Sequence, residues 1–218
     1  MAKFLNAVLA GIMIGIGATA YLSCDNKYIG ALLFTVGLFA ICVFGLELYT
    51  GKVGYIPLRR PKYMAEVALA AGGNMIGCFL ASFALRTDKL YETALTLCSA
   101  KLDQPYYRLF LLAVMCGILM YIAVHSYKIQ TGFSKLTGIF LCVPAFILCG
   151  FEHSIADTFY LCLAGIFTPQ AAVVLVLTLM GNAVGGMLIP AVQRATGQVA
   201  AESEGVSKIS VISEELDL

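Results

Sequence analysis

Long apolar runs alternate with short polar interruptions along this chain, and the run lengths show what they are. Apolar stretches fall near residues 4–22, 29–49, 63–85, 107–127, 136–163 and 169–193. A helix that crosses a bilayer needs about 20 mostly apolar residues, and each run is close to that length or longer. The pattern predicts an all-α polytopic membrane protein with six transmembrane helices. Two of the runs are themselves interrupted. In the second, Glu47-Leu48-Tyr49-Thr50-Gly51 ends an apolar stretch. In the fifth, Glu152-His153-Ser154 follows an uncharged stretch from Leu136 to Phe151, and the chain turns apolar again beyond Asp157. A charged side chain at mid-membrane costs about 2.5–3.5 kcal/mol on insertion scales, and such residues mark ion or substrate pathways by default.

A second pattern relates the two halves of the chain. Gly73-Asn74-Met75-Ile76-Gly77 in the third run is matched by Gly181-Asn182-Ala183-Val184-Gly185 in the sixth, at a spacing of 182 − 74 = 108 residues. With three spans per half, this predicts two repeats, about 1–100 and 101–196, inverted across the membrane as is common in transporters. Gly-xxx-Gly spacing lets helix backbones approach closely. An asparagine inside such a segment needs partners, and either a polar seam or a bond between helices would supply them. The second and fifth spans become counterparts, with Thr50 and His153 at matching places, 153 − 50 = 103 residues apart. Broken helices at corresponding positions point to a substrate site, because irregular backbone at that depth must be covered by protein or water. The N-terminal ends of half-helices suit an anion. Glu47 and Glu152 are expected to support the breaks by accepting hydrogen bonds from freed N–H groups, with a proton relay as the lesser alternative. No G-x-S-x-G surrounds Ser154, which argues against hydrolase chemistry.

Composition narrows the class further. Of 218 residues, 60% are hydrophobic and 12% charged, about half the charged share of a soluble domain. A net charge of +1 leaves no strong nucleic-acid footprint. The eight cysteines lie mostly in apolar runs without a CxxC pair, which favours free thiols over a metal or disulfide framework; no metal or cofactor is expected. The first run starts at Phe4 behind Lys3 and, with further spans following, reads as a first transmembrane helix instead of a cleaved leader. Nine Lys/Arg on one side against five on the other place both termini in the cytoplasm. Residues 1–196 then form the channel domain, and 197–218 a polar, disordered cytoplasmic tail. His125, beside Ser126 and Tyr127 at the inner end of the fourth span, reads as interfacial. Pro144 and Pro190 are expected to kink helices, and Pro169 to start one.

The run Gly150-Phe151-Glu152-His153-Ser154-Ile155-Ala156 resembles the formate/nitrite transporter family. So do Leu48-Tyr49-Thr50-Gly51, Gly181-Asn182-xx-Gly185-Gly186 and the opening Ala10-Gly11-Ile12-Met13-Ile14-Gly15, in the right order over about residues 3–195. The resemblance implies an aquaporin-like inverted repeat and a homopentamer with one pore per protomer. It implies transport of formate, nitrite or hydrosulfide, no enzymatic activity, and a prokaryotic inner or plasma membrane. It makes His153 the central pore histidine, Thr50 the threonine facing it, and Asn182 a pore-side asparagine bonded near the histidine. Lys101 falls where the family keeps an outer-vestibule lysine that attracts anions; an ordinary solvated loop lysine is the alternative. Constrictions would be lined by Phe34, Leu38, Leu48, Tyr49 and Phe146, with Tyr49 adding a hydroxyl where phenylalanine is common. The chain departs from the family at Asp157-Thr158, where Asn-Met is common, at Gly117 in place of an asparagine, and at His125 in place of a tryptophan. These departures leave the preferred anion open.

Physics limits how an anion could cross such a pore. Moving a small ion into a dry, low-dielectric constriction has an idealised cost of order 20 kcal/mol, and rings of Phe and Leu return none of it. Either Thr50, His153 and Asn182 replace the lost water, or the anion takes up a proton and crosses as a neutral acid. An imidazole titrates at about pH 6.5, which suits the second route and predicts flux that rises at acidic outside pH. The same fold selective for hydrosulfide or another weak acid is the closest alternative. A neutral-solute pore would be expected to carry twin Asn-Pro-Ala motifs, which are absent. A membrane enzyme built on His153 with Glu152 or Asp157 would need a second catalytic cluster, and no run offers one.

Overall fold

Residues 1–199 are described by the computed structural model, and they form nine α-helices with no β-strand among them. In chain order these are α1 (Ala2–Ser23), α2 (Lys27–Val43), α3 (Tyr49–Lys52), α4 (Tyr63–Leu85), α5 (Asp88–Leu102), α6 (Tyr106–Ile129), α7 (Ser134–Leu148), α8 (Ser154–Ala164) and α9 (Pro169–Ala195). A short 3-10 helix, Val53–Leu58, continues α3. The expected C-terminal tail lies, from residue 200 on, outside the described residues.

Helices α1, α4, α6 and α9 are long and apolar enough to cross a membrane, while α2, α7 and α8 are apolar but shorter. Their ends follow from capping chemistry. Asn26 Oδ1 accepts the N–H groups of Tyr28 and Ile29 at the start of α2. Thr168 Oγ1 accepts that of Ala171 at the start of α9, where Pro169 is the first helical residue as its missing N–H and preset φ favour. Pro144 and Pro190 lie inside α7 and α9.

The two halves pack alike: α1 lies against α4 and α2, and α6 against α9 and α7. In both, a glycine permits backbone-to-backbone approach. A Cβ built on Gly11 would sit 2.1 Å from the Asn74 carbonyl oxygen, and one on Gly117 would sit 2.3 Å from that of Asn182. Gly117 therefore has no room for a larger side chain.

Between α4 and α6 the hydropathy pattern leaves a polar connection, yet the chain forms the 15-residue helix α5. Thr87 Oγ1 caps it through the Leu90 N–H at 3.3 Å, and Leu90, Ala94 and Cys98, at helical spacing, are its buried face. That face packs on α8. An amphipathic helix of this length is too short and too polar to register as a span, so an apolar-run criterion passes over it.

Two gaps, between α2 and α3 and between α7 and α8, are built alike. The chain leaves α2 through Gly45 at φ +61° and leaves α7 through Gly150 at φ +67°, a region open to glycine at little cost. Gly45 N–H donates to the Cys42 carbonyl and Leu46 N–H to that of Ile41; Gly150 and Phe151 donate to Ile147 and Phe146 in the same way. This is a Schellman-type closure, which satisfies orphan carbonyls at a helix end. The spacing is 150 − 45 = 105 residues.

Candidate functional site

Where each gap ends and a short helix begins, the first N–H group has no intrahelical acceptor. A buried asparagine supplies one in both halves. Tyr49 N–H donates to Asn74 Oδ1 at 2.8 Å, and Asn74 Nδ2 donates to the carbonyls of Ala7 and Glu47 at 2.8 and 2.9 Å. Ser154 N–H donates to Asn182 Oδ1 at 2.9 Å, and Asn182 Nδ2 donates to the carbonyls of Ala113 and Glu152, both at 2.8 Å. Both asparagines are fully buried. This corrects the expectation for Glu47 and Glu152. Their carboxylates pair with Lys52 and Lys101, and the asparagines take the freed N–H groups. A carboxamide is suited to that position because it accepts with one end and donates twice with the other, which a carboxylate cannot do.

The matched bonds also correct the register of the repeat. Tyr49 corresponds to Ser154, so the counterpart of His153 is Leu48, at 153 − 48 = 105, the same offset as the glycines. Thr50 is instead the partner of His153 across the repeat. Asn182 bonds to the residues on either side of His153, and Asn74, which sequence reasoning left off the site, does the same work at the other gap.

His153 is tied at both ring nitrogens. Its Nδ1 accepts the Ala156 N–H at 3.1 Å and so caps α8. A neutral ring then carries its proton on Nε2, and Nε2–H donates to Thr50 Oγ1 at 3.0 Å. His153 and Thr50 are 2% and 1% exposed. Phe146 stacks on the imidazole with ring centres 5.6 Å apart and planes at 20°, and Phe34 meets Phe146 edge-on at 5.8 Å. Leu38 and Leu48 are buried beside them. Tyr49 differs from its expectation: its hydroxyl donates to the Leu179 carbonyl at 2.9 Å and so adds no unpaired polar group to a constriction.

Two cavities flank this pair. The smaller, about 120 Å³, is lined by His153, Phe146, Lys101 and Asp157 together with Tyr21 and Tyr160. The larger, about 540 Å³, reaches Leu48 and Gly51, and its wall is charged with Lys3, Glu47, Lys52, Arg59, Arg60, Lys62, Glu66 and Lys128. Thr50 and His153 thus lie between the two. Lys101 belongs to α5 with a side chain 16% exposed; it pairs with Glu152 and stands 3.0 Å from Asp157, so it is not a solvated loop lysine. Lys52 pairs with Glu47 and lies 3.6 Å from Glu66, which meets Lys3 at 2.8 Å. The five-residue step from Glu47 to Lys52, matching that from Glu152 to Asp157, is the sequence signal that would have found it.

His125 lines neither cavity. It stacks on Tyr121 at 5.0 Å, and its Nδ1 is 3.2 Å from the Tyr55 hydroxyl. The eight cysteines are free, and no cluster of metal-ligating side chains occurs among the described residues.

A sequence model of a family described as Formate/nitrite transporter matches residues 1–195. The chain belongs to the formate/nitrite transporter family. Among relatives of this family member, the formate channel FocB of Escherichia coli (strain K12) is 28% identical over 182 residues, 72% of this chain and 64% of FocB. The uncharacterised transporter YrhG of Bacillus subtilis (strain 168) is 28% identical over 180 residues, 74% of this chain and 68% of that protein. Two solved structures share the fold. An "FNT family ion channel" superposes with a TM-score of 0.79 at 19% identity, covering 90% of each chain. A "pentameric formate channel with formate bound" superposes with a TM-score of 0.76 at 26% identity, covering 90% of this chain and 96% of that one. This formate/nitrite transporter family member is an integral membrane protein of a transport family, not an enzyme.

Proposed function

We propose that the protein is a pentameric channel for small monovalent anions of weak acids, with formate as its first substrate. Each protomer holds one pore, built from residues 1–196 as two inverted repeats in the aquaporin manner. Its six spans are α1, α2 with α3, α4, α6, α7 with α8, and α9, the second and fifth being broken. The pore runs from the 540 Å³ cavity on the cytoplasmic side, where both termini lie, to the 120 Å³ cavity on the outside. The reading rests above all on the Thr50–His153 pair, which stands between two charged cavities and within apolar walls. The relatives and the structure named for formate support the substrate.

The chemistry follows from the donors. An anion that leaves Lys101 and passes Phe146 is stripped of water, and a desolvated charge needs hydrogen bonds in return. His153 Nε2–H and the Thr50 hydroxyl are there to supply them, and the N-terminal end of α8 adds a positive dipole. Asn182 holds the gap so that these donors keep their aim. Full protonation of the ring would require Nδ1 to give up the Ala156 N–H. Hydrogen bonding by the neutral imidazole is therefore its first role, and proton co-transport through His153 its second.

Proteoliposome flux of formate, nitrite, hydrosulfide and acetate, measured side by side at two pH values, tests the reading. Formate is expected to pass fastest, and faster at the lower pH. His153→Ala is expected to cut formate flux at least tenfold, equivalent to about 1.4 kcal/mol of lost stabilisation. Wild-type-like, pH-independent flux in that variant would refute the role of the histidine.

A further inference from the structure

We propose that Asp157 makes the Lys101 mouth of the pore proton-gated. In this scheme Asp157 and Glu152 share one exchangeable proton, and anions enter from that side only while the proton is bound. The inference rests on the channel reading above and assigns this chain's own regulation to it.

The argument begins with a charge count. Lys101 Nζ lies 3.0 Å from Asp157 Oδ1 and also pairs with Glu152 Oε2. Both acids are 2% exposed. Two carboxylates against one ammonium leave the trio at −1 when all three are ionised. The remaining oxygen of Asp157, Oδ2, is buried without a hydrogen-bond partner, and the group borders the 120 Å³ cavity that also reaches His153. An unpaired buried charge and an unsatisfied carboxylate oxygen are both costly. One proton makes the trio neutral, and it turns one carboxylate into a carboxyl whose O–H can point at the other acid, because Glu152 lies within side-chain hydrogen-bonding reach of Asp157. That proton is taken from water at the mouth and returned there, and only an O–H bond is made or broken.

Among the described residues, the surroundings offer no other ammonium or guanidinium. Facing Asp157 are Lys101 and Cys98 from α5, Cys116 from α6, Glu152 and His153 from the gap, Tyr160 from α8 itself, and Tyr21 from α1 across the cavity. Lys101 is the only ammonium in this set.

The other half of the molecule shows what is unusual here. At the 105-residue offset Asp157 corresponds to Lys52, so an acid stands where the first repeat has a base. There Lys52 pairs with Glu47 within its own segment, and Lys3 meets Glu66, so each acid has a base of its own and no proton is needed. In the second repeat the base is brought in from α5 and meets two acids instead of one.

Conduction follows from that imbalance. With both acids ionised, Lys101 is fully engaged and the mouth is negative, so an arriving anion is repelled. With the proton bound, the trio is neutral, the repulsion is gone, and the ammonium faces one carboxylate instead of two and can also meet the anion.

The test is formate flux in proteoliposomes over a range of pH, equal on both faces, with the protein-free leak subtracted. Wild type is expected to lose flux on the alkaline side, by up to tenfold per pH unit as one proton is lost. Asp157→Asn is expected to keep its alkaline flux, several-fold above wild type, and Asp157→Glu to retain the wild-type fall. Persistence of the wild-type profile in Asp157→Asn would place the pH dependence elsewhere, at His153 or in the protonation of formate itself, and overturn the proposal. A wild type that passes no formate at any pH would refute the channel reading instead. Infrared difference spectra of the wild-type protein supply an arm independent of flux and of the variant's folding. A protonated-carboxyl C=O band that disappears as pH rises supports the shared proton, and its absence at acidic pH overturns it.

Discussion

Asn182 makes three hydrogen bonds that no other side chain in its surroundings replaces. Replacing it with leucine keeps the volume but strands the Ser154 N–H and the Glu152 carbonyl in the protein interior, and it removes the second bond of the Ala113 carbonyl, which lies within α6. Each stranded group costs about 1–3 kcal/mol. Asn182→Leu is therefore expected to lower the melting temperature in detergent sharply, and Asn182→Asp to fare little better, because a carboxylate donates to neither carbonyl. Thermal unfolding followed by tryptophan-free methods, such as circular dichroism, suits a chain with no Trp; a variant as stable as wild type would show that water fills the role. At this scale the sequence shows the chemistry but not the partners. The Glu-His-Ser run and the two asparagines stand out from their apolar surroundings, and the Thr50–His153 pairing follows from the resemblance. The bonds themselves connect residues far apart, Asn74 with Tyr49 and Asn182 with Ala113. The offset between Leu48 and His153 becomes visible only once those bonds are compared.

At the scale of elements, the apolar runs fall close to the bounds of α1, α4, α6 and α9, because burial in hydrocarbon and burial against protein ask for the same residue types. The two gaps were signalled by glycine and charge, while their start and stop residues depend on backbone closures that hydropathy does not encode. Helix α5 escapes the hydropathy pattern for a related reason: only one of its faces is apolar, and the packing of α5 on α8 is what brings Lys101 to the gap. Close contact of α6 with α9 yields a further prediction. A methyl group on Gly117 would fall 2.3 Å from the Asn182 carbonyl oxygen and 2.8 Å from the Gly186 nitrogen, so neither side can yield without moving a backbone. Gly117→Ala is expected to cost about 1–3 kcal/mol through overpacking and to disturb the gap that Asn182 holds. Reduced thermal stability together with reduced formate flux would bear this out; an unchanged variant would show that the helices separate freely.

Across the whole molecule, the halves share their architecture but not their chemistry. The same gap presents a leucine side chain in one repeat and an imidazole in the other, and a base in one where the other has an acid. Outside, large apolar side chains such as Leu32, Val36, Phe79, Phe83, Val176 and Met180 are exposed, forming more apolar surface than a water-soluble monomer carries and one that suits lipid and neighbouring protomers. The asparagine braces have one more consequence, in time instead of space. The leading amide of a helix ordinarily trades its hydrogen with solvent quickly, since nothing within the helix holds it. Here Tyr49 and Ser154 are locked into fully buried acceptors that bridge separate helices, so releasing either amide requires those helices to part. In deuterium exchange followed by mass spectrometry, these two leading amides are expected to rank with the slowest in the protein, opening only with the global structure, while amides at the exposed start of α5 exchange early. The places where the chain is not helical would then be among the last to come apart.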